Sequence, residues 1–168
     1  MNRLLEALLS VLVPEICILC DTPLLEGEKH LCLNCLAGLP WVECHAPFSD
    51  NPLTERLLSH RAPLVRGATM MRYERGGHSA KLIHDIKYNS RPAAASVFID
   101  SCVPDLMSEG FFAGIDYIIP VPLHWTRRLR RGYSQTEYIA DLISKYTGIP
   151  VSISLIAPKI HSTQTRLT

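Results

Sequence analysis

The residues best able to do chemistry stand in two groups. The first is Cys17-Ile18-Leu19-Cys20 and Cys32-Leu33-Asn34-Cys35, two Cys-x-x-Cys pairs with eleven residues between them. The second is a basic run, Arg127-Arg128-Leu129-Arg130-Arg131-Gly132-Tyr133, directly before a helix-start signal at Ser134. Paired thiols at the first spacing suit a tetrahedral metal site: a tight turn lets both sulfurs of one pair reach a single ion, and the second pair completes the shell. Asp21, Thr22, Pro23 and Gly27 supply turn formers between the pairs. The segment is expected to bury little, so a metal crosslink would carry its folding. Four thiolates leave no open coordination position. That assigns Cys17, Cys20, Cys32 and Cys35 to a structural Zn²⁺ rather than a catalytic one.

Two local disulfides, or one redox-active Cys-x-x-Cys, are the alternatives. A redox pair wants a strand before it and a helix after it, and needs only one pair. His30, two residues before Cys32, could replace a thiol but reads as a surface histidine. Cys44-His45 reads as incidental rather than as the remnant of a second site, and Cys102, among Val97, Phe98, Ile99 and Val103, reads as core.

For the basic run the expected ligand is phosphate or pyrophosphate. Helix N-terminal amides and the helix dipole favour anions, and guanidinium groups match phosphate oxygens. A solvated basic turn is one alternative, and a sequence-independent contact to a nucleic-acid backbone is another. Pro120-Val121-Pro122 upstream fixes the backbone and favours a shaped site. His124 and Trp125 are placed to stack on a ligand, position it or cover it.

The elements that must hold these groups follow from periodicity. Leu4, Leu5, Leu8, Leu9 and Leu12 make the stripe of an amphipathic helix. Glu6 interrupts the apolar run and no small-x-small site follows, so a packing helix is expected over a targeting segment. Pro52 to Leu58 reads as a short helix after an Asn51 cap, and Val65 to Tyr73 as a strand. Gly76-Gly77 makes a turn into a helix over 79–88, with Leu82, Ile83 and Ile86 inward. Arg91-Pro92 breaks that helix, another starts near Ala93, and Pro104 should end or kink it.

Ile115 to Pro122 reads as a buried strand, and 123–133 as a loop. Ser134-Gln135-Thr136-Glu137 is a capping box opening a helix that carries Ile139, Leu142, Ile143 and Tyr146 and stops at Gly148. Val151 to Ile156 alternates like a strand. Strand, loop, helix and strand in this order predict a βαβ unit, a parallel sheet and an α/β class. Size allows one moderate domain, or a small module plus a domain. A net charge of +1 excludes bulk charge as the basis for a nucleic-acid or membrane partner, leaving local clusters. No apolar window is long enough to span a bilayer, and a cytoplasmic protein is expected.

The chain resembles the ComF competence family, which is similar to type I phosphoribosyltransferases. Three blocks carry the likeness: the two Cys-x-x-Cys pairs; Leu82-Ile83-His84-Asp85-Ile86-Lys87-Tyr88-Asn89; and Ile119-Pro120-Val121-Pro122-Leu123-His124 with Arg131-Gly132-Tyr133-Ser134-Gln135, where Ser134 stands for the commoner Asn. Thr163-Gln164-Thr165-Arg166 resembles a further family region loosely. The resemblance implies a four-cysteine zinc-ribbon-like module over 1–45, a linker helix over 46–64, and an incomplete phosphoribosyltransferase-like parallel sheet with flanking helices over 65–168.

It also implies a phosphoribosyl pyrophosphate-like ligand held by Lys87, Tyr88, Arg127, Arg128, Arg131, Gly132 and Gln135, with Mg²⁺ in the full-length family. The implied biology is DNA uptake in natural transformation beside a helicase-like partner. The family's acid pair and Thr/Gly-rich phosphate loop are absent, and Asn2 offers no cysteine nucleophile for a glutaminase step. The expectation is therefore a truncated chain, inactive alone and with an exposed sheet edge. The alternative is a non-enzymatic zinc-ribbon adaptor for single-stranded DNA or a translocation partner.

Overall fold

The structure, a computed structural model, describes residues 14–42, 66–89 and 91–154, without the Arg130 side chain. The expected helices over 4–12 and 52–58, the Cys44-His45 pair and the Thr163–Arg166 region lie outside the described residues. The described elements are five α-helices and one 3-10 turn: α1 (Leu33–Ala37), α2 (His78–Tyr88), the 3-10 turn (Pro92–Ala95), α3 (Ser96–Ser108), α4 (Trp125–Arg131) and α5 (Gln135–Thr147).

Helix α2 buries Ser79, Leu82, Asp85 and Ile86, the i, i+3, i+6, i+7 set of one helical face. The Ser79 hydroxyl accepts from the Glu74 amide at 2.9 Å, which pins the preceding turn to the helix start. Asn89 closes the other end, its side-chain amide donating to the Asp85 carboxylate at 2.5 Å. The 3-10 turn buries Ala94 and Ala95, whose small side chains let α2 and α5 approach it closely. Helix α3 packs along α5, and the Tyr146 hydroxyl donates to Asp100 at 2.7 Å across that seam. Pro104 lies inside α3 rather than ending it. Lacking an N–H, it deprives the Asp100 carbonyl of its usual helical donor, a cost the buried Val97, Ile99, Cys102, Val103 and Leu106 offset.

The α/β assignment is corrected by the structure. Among the described residues there is no β-strand and no sheet, only isolated bridges: Ile16 with Pro23, Lys29 with Leu31, Trp41 with Met71, and a parallel one, Ile118 with Val151. The predicted strand over 65–73 is reduced to its bridge at Met71 and the one over 151–156 to Val151, residues 65, 155 and 156 lying outside the described set. The reason lies in the prolines. Ile118 donates to the Pro150 carbonyl at 3.0 Å and accepts from the Ser152 amide at 2.9 Å. A parallel ladder repeats every second residue, so the next donors would be Pro120 on one side and Pro150 on the other. Neither has an N–H, and the pairing stops after one step. Ile115 to Pro122 is not a buried strand either, since Tyr117, Ile119 and Val121 are exposed while Pro120 is buried.

The expected 123–133 loop instead contains α4. Arg and Leu favour helix, the His124 ring accepts from the Thr126 amide at the N-cap, and Gly132 closes the helix in the left-handed region.

Candidate functional site

Tight turns bring the four thiols together. Asp21 (φ 58°) and His30 (φ 61°) adopt the left-handed conformation that reverses the chain after Cys20 and before Cys32. The Cys17 amide donates to Thr22, the Asp21 amide to Cys17 and the Ile18 amide to the His30 carbonyl, so His30 serves the turn through its backbone. Glu28 braces the second turn: one carboxylate oxygen accepts from the Leu25 amide at 2.7 Å and the other from the Leu33 amide at 2.8 Å. These bonds hold its carboxyl below the usual range.

The sulfurs of Cys17, Cys20, Cys32 and Cys35 all lie within 4.8 Å of one another and could hold a metal ion. Tetrahedral Zn–S bonds place sulfurs about 3.8 Å apart, and the Cys20 and Cys32 sulfurs lie at 3.7 Å. All four are free thiols, so the disulfide alternative is not adopted. The two sides of the site differ. Cys20 is exposed, and the Thr22 hydroxyl and then its backbone lower the thiol from 9.0 to about 6. Cys35 is buried, and burial foremost pushes its thiol far up.

Contrary to the expectation that this segment buries little, Cys17, Ile18, Leu19, Leu31 and Cys35 share one apolar cluster with Leu82 and Ile86 of α2 and with Ala94, Ala95 and Val97. Lys81 on α2 adds a polar tie, donating to the Leu19 carbonyl at 2.8 Å.

The residues expected to hold a phosphate ligand fall into two sets. Tyr88, Arg131 and Gln135 meet. The Arg131 guanidinium carbon lies 4.7 Å above the centre of the Tyr88 ring, one nitrogen donates to the Tyr88 hydroxyl at 3.2 Å and another to Gln135 Oε1 at 3.1 Å. Arg128 is drawn elsewhere, to Glu137 at 3.1 Å. The Glu137 carboxylate is thus committed to Arg128, while its amide donates to the Ser134 hydroxyl at 3.4 Å as the capping box predicts. Arg127 lies in the first turn of α4 and Gly132 at its end.

Lys87 belongs to a groove of about 560 Å³ on α2, lined also by Tyr73, Gly76, Gly77, Lys81, His84 and Tyr88. Tyr73 and Tyr88 are 65% and 51% exposed, and the His84 and Tyr88 rings lie 4.9 Å apart. Sequence reasoning missed Tyr73, Lys81 and His84. The available signal was spacing, since Lys81, His84, Lys87 and Tyr88 recur at three and four residues along one helix. At the two ends of α4, three buried polar atoms have no hydrogen-bond partner: His124 Nε2 at the N-cap, and Arg131 Nε and the Tyr133 hydroxyl at the other end. Burial raises the Tyr133 phenol above its ordinary value despite Arg131 nearby.

No protein-family model matches the chain, and no solved structure does. Among curated proteins it is similar to the DNA utilization protein YhgH of Escherichia coli strain K12, at 28% identity over 151 residues, which covers 80% of this chain and 62% of the relative. The YhgH proteins of Shigella flexneri and of Escherichia coli O157:H7 match with the same identity and coverage. The chain thus spans less than two thirds of the length of the curated relatives it matches. Likeness to a DNA utilization protein is in keeping with the ComF resemblance at that coarse level and carries no phosphoribosyltransferase detail. Among the described residues, no helix is long and apolar enough to cross a membrane.

Proposed function

We propose that the chain acts in DNA utilization by holding single-stranded DNA in the α2 groove, with a structural Zn²⁺ in the Cys17, Cys20, Cys32 and Cys35 site bracing the groove from beneath. The observation that carries this reading is the stack of the Arg131 guanidinium on the exposed Tyr88 ring, beside His84 and Lys87. Aromatic faces next to cations suit bases and phosphates together without requiring a particular sequence. Tyr73, also in the lining, offers a second ring, and Gly76 and Gly77 keep the backbone there free of side-chain bulk. The similarity to DNA utilization proteins supports the same ligand class.

Titration of a fluorescent oligothymidylate across salt concentrations tests the reading. Two phosphate contacts, from Lys87 and Arg131, give a log–log slope of roughly −1.5. A flat salt dependence overturns it.

A phosphoribosyl pyrophosphate-like ligand is the second reading, favoured by the unpaired His124 Nε2, Arg131 Nε and Tyr133 hydroxyl. Such a ligand would take hydrogen bonds from those atoms, and satisfying buried donors is a strong selector. Arg128, already paired with Glu137, is not among them. Phosphoribosyl pyrophosphate with Mg²⁺ should then raise the melting temperature of wild-type protein and not of Tyr133→Phe. Equal shifts in both, or none, remove the second reading and leave the first untouched.

A further inference from the structure

A second cavity, of about 520 Å³, opens between the cysteine segment and α3, and its lining residues are not those of the Tyr88 groove. Its floor is apolar: Leu31 and Val97 are buried there, with Leu36 half-buried beside them. Leu33 stands on its wall and is 68% exposed. The rim carries three carboxylates, Glu26, Glu28 and Asp100, against one cation, Lys29. Two of those carboxylates are fixed in place, Glu28 by the Leu25 and Leu33 amides and Asp100 by the Tyr146 hydroxyl. An exposed leucine over an apolar floor loses little by being covered, whereas held negative charge repels nucleic acid and selects a basic occupant.

We propose that this groove is a docking site for a basic segment of a partner protein, one bulky apolar side chain of which enters between Leu33 and Val97 while flanking lysines or arginines meet Glu26 and Asp100. The charge of the rim is opposite in sign to that of the DNA groove, so the chain can engage nucleic acid and a basic protein segment at once, on separate residues. The inference does not depend on the proposed DNA ligand.

Fluorescence anisotropy of a short labelled peptide of leucine and lysine against the full chain, loaded with Zn²⁺, tests it. A peptide of leucine and glutamate in the same order serves as the control. The Leu/Lys peptide should bind and the Leu/Glu peptide should not. Leu33→Ser should weaken binding roughly tenfold, since it removes most of one leucine from the covered surface. Glu26→Lys should weaken it a further several-fold and flatten its salt dependence. Neither side chain supports the core, so both variants should keep the wild-type melting temperature. Tyr88→Leu should bind the peptide as wild type does. Equal binding of the two peptides, no binding of either, or a Leu33-dependent self-association of the chain that the peptide does not compete would each overturn the proposal, the last by making a second copy the occupant.

Discussion

Replacing Tyr88 by leucine separates stacking from charge in the α2 groove. The ring is 51% exposed, so it adds little to the core and its loss leaves the helix standing. Two things disappear with it: a face on which a base can lie, worth about 1–3 kcal/mol in single-strand binding, and the seat of the Arg131 guanidinium, worth roughly 0.5–1 kcal/mol where exposed. Arg131 keeps its bond to Gln135, so part of its placement survives. The sum is near 2 kcal/mol, and about 1.4 kcal/mol is tenfold in affinity. Oligothymidylate affinity should therefore fall ten- to thirtyfold, as an order of magnitude.

Because no charge is removed, the salt slope should hold. Tyr88→Phe keeps the ring and loses only the hydroxyl's acceptance from Arg131 at 3.2 Å, so it should stay within about threefold of wild type. Lys87→Gln should do the reverse of Tyr88→Leu, lowering the slope by about 0.7 with a smaller loss at high salt. Anisotropy titrations at two salt concentrations read all four proteins. Wild-type affinity in Tyr88→Leu would refute the stacking account, as would an equal loss in Tyr88→Phe.

Three further outcomes are expected. Stripping the metal with a chelator, or changing Cys17 and Cys32 to serine, should lower the melting temperature by many degrees, because the cysteine segment shares its apolar cluster with α2; an unchanged melt followed by circular dichroism would remove the metal from the account. Leu82→Ala, at a side chain with no exposure, should cost about 2–5 kcal/mol in urea unfolding, and a loss under about 1 kcal/mol would mean that α2 is not seated as described. Metal uptake should be proton-linked with a definite sign. The Cys20 thiol carries a proton below about pH 6 and has lost it above, so proton release on metal binding should fall by close to one as pH rises from about 5 to about 8. Calorimetry in buffers of different ionisation enthalpy measures this, and a pH-independent release would contradict it.

Local signals in the sequence are faithful where one short segment decides the outcome. The cysteine spacing anticipates four converging sulfurs. The stripe over 79–88 anticipates α2, with Leu82 and Ile86 inward, while Ile83, also expected inward, is half-buried on the groove side. Ser134 with Glu137, and Gly148 at the far end, mark both limits of α5. The sheet fails because an apolar run at 115–122 and apolar alternation at 151–156 say nothing of how many N–H donors are present. Pro120 and Pro122 stand in the first segment and Pro150 directly before the second, and the places of Pro120 and Pro150 forbid a ladder longer than one step. The basic run reads as a loop only while its arginines are weighed as ligands and not as helix formers. Contacts between distant segments, such as Lys81 with Leu19 or Arg131 with Tyr88, leave no mark in local periodicity. They depend on how the helices cross, which no short window encodes.

The prolines flanking the Ile118 bridge also bear on how the chain behaves when concentrated. Tyr117, Ile119 and Val121 form an extended, water-facing apolar strip of the kind that recruits a neighbouring molecule's backbone and seeds fibrils. Pro120 has no amide hydrogen to offer on the side of the Ile118–Val151 bridge, so that pairing stops at one step and the strip is never held as the edge of a sheet. Exchanging Pro120 for valine would therefore endanger solubility before it touched any ligand.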